Sequence, residues 1–125
     1  MVNPKDSQTA MAFARVFATL SDPNRLLILK SLGDKEKPVN RLAVELGLSQ
    51  PLVSHHLSAL KATGLVKAKR AGSFVFYSTA TEKISDLVNS LENALEDIEK
   101  NMELTPFSQP IPFFRGRGRR GRRWM

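Results

Sequence analysis

The chain has 125 residues, 42% hydrophobic and 25% charged, which is enough for one domain with a single core and short appendages. It has no cysteine, which excludes disulfides, thiolate metal sites and thiol redox chemistry. The net charge of +7 points to a polyanionic partner, but six arginines in the last eleven residues supply nearly all of it, and the other 114 residues carry 13 basic and 12 acidic side chains, so any basic face there must come from arrangement.

In residues 7–20, Ala10, Phe13, Ala14 and Phe17 recur at steps of three and four and mark one apolar helical face. Phe13 and Phe17 are large for a surface helix, which calls for a surface to bury them. Ser21, Asp22 and Pro23 restart the chain: proline has no N–H to lose in a first turn, and Ser21 or Asp22 caps the free amides. Leu26, Leu27, Leu29 and Leu32 form a second short helix that Gly33 ends, and residues 34–38 read as a charged loop. A third helix, residues 40–46, carries Leu42, Ala43 and Leu46 and stops at Gly47. Ser49 then caps a fourth helix, with Pro51 in its first turn, that runs to Thr63 and is closed by Gly64. Two helices joined by a short Gly-containing turn make a helix-turn-helix.

Residues 65–70 and 74–79 are strand-like around Ala71, Gly72 and Ser73, a hairpin with glycine in its turn. The longest helix covers residues 81–103, with Ile84, Leu87, Val88, Leu91, Leu95, Ile98 and Met102 in a near-heptad stripe, and Thr105 and Pro106 end it. The expected organisation is a folded domain over residues 1–105 and, over 106–125, a Pro- and Phe-bearing linker with an Arg/Gly-rich tail, disordered when free. The order of elements predicts a mainly α fold with a small β-hairpin, a winged helix-turn-helix of five helices plus wing.

A helix that reads DNA buries one face on its own domain and offers short polar or basic groups to base edges and phosphates. In residues 49–63 the inward stripe is Val53, His56, Leu57 and Leu60. Gln50, Ser54, His55, Ser58 and Lys61 lie opposite, and with the capping Ser49 they are the candidate DNA-contacting residues; the alternative is a merely solvated polar face. His56 belongs to the apolar stripe and reads as a hydrogen-bonded structural histidine. Neighbours on a helix point about 100° apart, and there is no cysteine or third histidine, so a metal site here is not expected. In the hairpin, Lys67, Lys69, Arg70 and Ser73 suit phosphate or minor-groove contact, and lysines also guard an edge strand. Phe74, Phe76 and Tyr77 raise the prospect of a base-stacking platform for single strands, but alternation puts Phe74 and Phe76 on one side, so at least one side is core. Arg115, Arg117, Arg119 and Arg120, with Arg122 and Arg123, suit a flexible grip on phosphates; RNA binding and a solubility feature are the rival readings of that tail.

The runs LSDPNRLLILKSL (residues 20–32) and LAVELGLSQPLVSHHLSALKATGLVKAKRAGSFVFYS (residues 42–78) closely resemble the ArsR/SmtB family of bacterial and archaeal repressors, over about residues 13–98. The resemblance implies a homodimer through the first and last helices, two recognition helices in successive major grooves of a pseudo-palindromic operator, and repression relieved by an effector. The family's metal sites would fall on Pro38 and Asn40, and on Ile84, Asp86, Asp97 and Lys100, which do not make those ligand sets. Asp86, Glu96, Asp97 and Glu99 suit a hard cation or, more simply, a solvated acidic face. No metal or cofactor is therefore expected, and the effector is unknown.

The stripe of the last helix would expose a large apolar patch if unpartnered. Pairing it with its copy buries it, which makes Phe13, Phe17, Leu87, Leu91, Leu95 and Ile98 the candidate dimer interface; the alternative is a monomer with that helix folded onto its own domain. There is no signal peptide and no bilayer-spanning run, so the expected location is cytoplasmic, with no membrane partner. An enzyme is not expected: cysteine and a phosphate-cradling glycine loop are absent and both histidines sit in the recognition helix. The function expected is a sequence-specific double-stranded DNA-binding transcriptional repressor; the alternative is an architectural or nonspecific nucleic-acid-binding protein dominated by its tail.

Overall fold

Capping chemistry sets where the central helices begin. The Asp22 carboxylate accepts hydrogen bonds from the amides of Asn24 (2.8 Å) and Arg25 (3.3 Å), with Pro23 in the first turn. The Ser49 hydroxyl does the same for Leu52 (3.2 Å), ahead of Pro51. The computed structural model describes residues 4–102, in the order α1 (Pro4–Leu20), α2 (Pro23–Leu32), β1 (Lys37–Pro38), α3 (Val39–Leu46), α4 (Gln50–Ala62), β2 (Val66–Ala71), β3 (Phe74–Thr79) and α5 (Glu82–Asn101). The five helices and hairpin follow the expected order; α1 begins at Pro4, one turn earlier than its apolar pattern indicates. The Pro/Phe linker, the arginine tail and the boundary at residue 105 lie outside the described residues.

The chain divides after Ser90 into two units. In the first, α2 contributes Ile28, Leu29 and Leu32, α3 contributes Leu42, and α4 contributes Val53, Leu57 and Leu60, each at most 1% exposed. Ile84 and Val88 of α5 and Tyr77 of β3 pack against this core. Leu26 and Leu27 do not join it: they are exposed, and Ile28 takes the inward place. The face of α1 that carries Ala10, Phe13, Ala14 and Phe17 is also exposed, and α1 meets the core through Val16 and Leu20 instead.

The supposed loop at residues 34–38 contains a strand. β1 pairs antiparallel with β3 (Lys37 with Tyr77, Pro38 with Phe76), making a three-stranded sheet ordered β1-β3-β2. Lys37 is buried, and its Nζ donates to the Ser31 carbonyl (2.7 Å) and to Glu45 Oε1 (2.8 Å). Arg41 and Ser31 also donate to that carboxylate. These bonds, first Lys37, then Arg41 and Ser31, lower the Glu45 pKa to about 2. The network joins α2, β1 and α3 around a cation that would otherwise be buried unpaired. The Gly33 carbonyl accepts from Thr79 (3.3 Å) and Ser85 (2.8 Å), fastening the end of α2 to β3 and to the first turn of α5.

In the second unit, Leu91, Leu95 and Ile98 continue the stripe of α5 and are 40–46% exposed. Its polar side has the exposed pair Lys100–Glu96 at 3.5 Å.

Candidate nucleic-acid interface

The turn between α3 and α4 is made by Gly47 in the left-handed region (φ 68°), whose N–H bonds back to α3, followed by Leu48 and the capping Ser49. An L side chain at Gly47 would strain that turn.

On α4 the two faces separate as the pattern predicts. Val53, His56, Leu57 and Leu60 are 0–5% exposed, whereas Ser49, Gln50, Ser54, His55, Ser58 and Lys61 are all exposed. Helical spacing places Pro51, His55 and Ser58 at the middle of the outward face and Ser54 beside them; Gln50 and Lys61 flank it. Pro51 is thus part of the face, a position that reading it only as a helix-start signal misses.

His56 is the anchor beneath. Its Nδ1 accepts from Arg25 Nε (3.1 Å), its Nε2 lies 4.0 Å from Asp22 Oδ1, and the same guanidinium donates from Nη1 to the Thr19 carbonyl (3.2 Å). The hydroxyls of Thr19 and Thr63 lie 2.9 Å apart, tying the end of α1 to the end of α4. Burial lowers the His56 pKa, with Arg25 and His55 acting in the same direction and Asp22 against them. A neutral ring suits the geometry, because Nδ1 must keep its lone pair for Arg25.

In the wing, cross-strand register sorts the side chains. Lys67, Lys69 and Ala71 share a face with Ser78, Phe76 and Phe74; Val66, Ala68 and Arg70 share the other with Thr79, Tyr77 and Val75. The second face is the core side, where Val66 and Thr79 are buried. Lys67, Lys69, Arg70 and Ser73 are exposed, as expected of them, and β2 is an edge strand, so its lysines also protect that edge.

The electrostatic arrangement is legible in the chain once the elements are known. Between Glu45 and Glu82 there is no acidic residue, although Lys61, Lys67, Lys69 and Arg70 lie there. The turn, α4 and the wing are therefore free of carboxylates that would repel phosphate.

A family model described as bacterial regulatory protein, arsR family, matches residues 22–68. The nodulation protein NolR of Rhizobium meliloti is 33% identical over 103 residues, covering 82% of this chain and 84% of that protein. The chain belongs to the arsR family. As an arsR-family protein it is a DNA-binding transcriptional regulator. The transcriptional repressor SdpR of Bacillus subtilis is 35% identical over 78 residues, 62% of this chain and 87% of SdpR. A homodimeric winged helix-turn-helix DNA-binding domain from Mycobacterium bovis, described as a possible ArsR-family regulator, superposes with a TM-score of 0.71 at 27% identity, covering 82% of this chain and 95% of that one. The matched segment of the arsR family model runs from the cap of α2 into β2, so it contains the whole helix-turn-helix.

Among the described residues of this arsR-family chain, no group of three or more His, Cys, Asp or Glu side chains is placed to hold a metal ion, and Ile84, at one position of a family metal site, packs against the core. No helix of the described residues is long and apolar enough to cross a membrane.

Proposed function

We propose that the protein is a homodimeric, sequence-specific repressor that sets α4 of each protomer into successive major grooves of a pseudo-palindromic operator. The observation that carries this reading is α4 itself: one side is locked into the core by Val53, His56, Leu57 and Leu60, and the other offers Gln50, Ser54, His55 and Ser58 on a stretch of chain with no acidic residue between Glu45 and Glu82. Ser49 and Lys61 at its ends, with Lys67, Lys69, Arg70 and Ser73 on the wing, supply phosphate contacts that fix register. Pairing of two copies is supported by the exposed apolar groups Phe13, Phe17 and Leu87 in the first unit and Leu91, Leu95 and Ile98 in the second, and by the homodimeric state stated for the M. bovis domain. Repression rather than activation follows the relative SdpR.

The tail beyond the domain adds a sequence-independent grip through Arg115, Arg117, Arg119 and Arg120. The protein works in the cytoplasm, carries out no catalysis, and does not sense metal through the family's usual positions. Competition binding tests the reading: a fragment from upstream of the regulated gene resists displacement by an equal concentration of random duplex, and the combined Q50A, S54A and H55A change removes that preference while leaving weak binding to any duplex. Equal displacement by random duplex would favour the architectural alternative.

A further inference from the structure

The outer face of the wing holds a feature that hydrogen-bonded reading of DNA leaves unused. Phe74 stands at the tip of the hairpin, 53% exposed, where the connecting turn is only Gly72 and Ser73, with Gly72 at φ 65°. Its cross-strand partner is Ala71, whose methyl group leaves the ring uncovered. Behind it on the same strand and face, the Phe76 ring braces it at a centroid distance of 6.3 Å. Residues at solvent-exposed hairpin tips are ordinarily small or polar, and a bare benzyl group there is unfavourable in water. Lys67 and Lys69 share this face, Arg70 lies beside Ala71, and no carboxylate occurs in the whole hairpin. A protruding apolar ring with lysines on the strand beside it matches a partner that has phosphates next to an apolar slot. The stacked bases of a duplex, approached through the minor groove, have that chemistry.

We infer that Phe74 is a wedge: when α4 binds, the wing tip enters the flanking minor groove and Phe74 inserts at one base step, partly unstacking it and kinking the duplex. This inference rests on the DNA-binding reading of α4. It places sequence preference at a position with no hydrogen-bonded base contact, in favour of pyrimidine–purine steps, which unstack most readily.

The test uses the full chain and a duplex selected by the wild type from a random library, with 2-aminopurine replacing adenine at successive flank positions. Wild type brightens the fluorescence severalfold at one step in each flank. F74S abolishes this and weakens binding roughly tenfold, F74L retains most of both, and circular dichroism shows both variants folded at the assay temperature, since Phe74 lies outside the buried core. If wild type binds the selected duplex and no position brightens, or if F74S brightens it equally, the wedge is overturned while the DNA-binding reading stands. If wild type selects no duplex at all, both fall. Tighter binding to a single strand than to the duplex, with F74S losing that preference, overturns the wedge in favour of a base-stacking platform.

Discussion

Truncating Phe17 to alanine separates a dimer surface from an idle hydrophobic face. A phenylalanine offers roughly 200 Å² for burial, and Phe17 is 55% exposed. A second copy can therefore cover about 110 Å² on each protomer, or ~220 Å² per dimer. At about 25 cal/mol per Å², that area is worth ~5.5 kcal/mol. This is a ceiling, since alanine keeps its own Cβ and no partner covers every atom, so about 3 kcal/mol is the working figure. The dimer dissociation constant then rises roughly 100-fold. The isolated subunit should be unaffected, because surface changes away from the core usually stay within about 0.5 kcal/mol. Sedimentation equilibrium across a concentration series reads the first quantity, and denaturant unfolding at a concentration where both proteins are monomeric reads the second. An unchanged dissociation constant, or a wild type that remains monomeric throughout, would refute the placement of the interface on α1.

Deleting residues 115–125 weakens binding to specific and random duplexes alike, and flattens the plot of log affinity against log salt by up to about five units per protomer if all six arginines of each tail sit on phosphates; titrations at several salt concentrations measure it. His56 gives a stability dependence near neutrality. Its folded pKa is lowered, chiefly by burial, so the unfolded chain binds the proton more readily, and the stability present above the ordinary value of about 6.5 is lost as pH falls below it. Denaturant melts from pH 8 to 5 show this decline in wild type and a shallower one in H56Q; equal slopes would contradict it. Glu45 acts lower on the scale: with its pKa lowered to about 2 from 4.5, its contribution is complete above 4.5 and disappears as the pH falls toward 2. E45Q is therefore less stable than wild type at pH 7, and the gap between them narrows in acid melts.

Much of the site could be read from local chemistry. The caps at Asp22 and Ser49, the stops at Gly33 and Gly47 and the inward stripe of α4 are all encoded within a few neighbouring residues, and they place the helix-turn-helix. The missed features depend on distant partners. β1 is two residues long and includes a proline; it is a strand only because β3 lies alongside. In α2, apolar groups at Leu26, Leu27, Ile28, Leu29 and Leu32 surround much of the helix, so periodicity does not choose between Leu26 or Leu27 and Ile28; packing against α3 and α4 does. The contact of Arg25 with His56 joins residues 31 apart, and nothing in either neighbourhood marks it. The absence of acids from residues 46–81 was visible all along, but it acquires meaning only when α4 and the wing are known to share a surface.

Methylation interference at guanine N7 tests most directly whether the outward side of α4 is what meets DNA. N7 faces the major groove, so methyl groups are expected to block binding at two clusters whose centres are about 10–10.5 base pairs apart, and the S58A variant to change the pattern within both. Binding that tolerates N7 methylation everywhere, or interference at a single cluster, would contradict it.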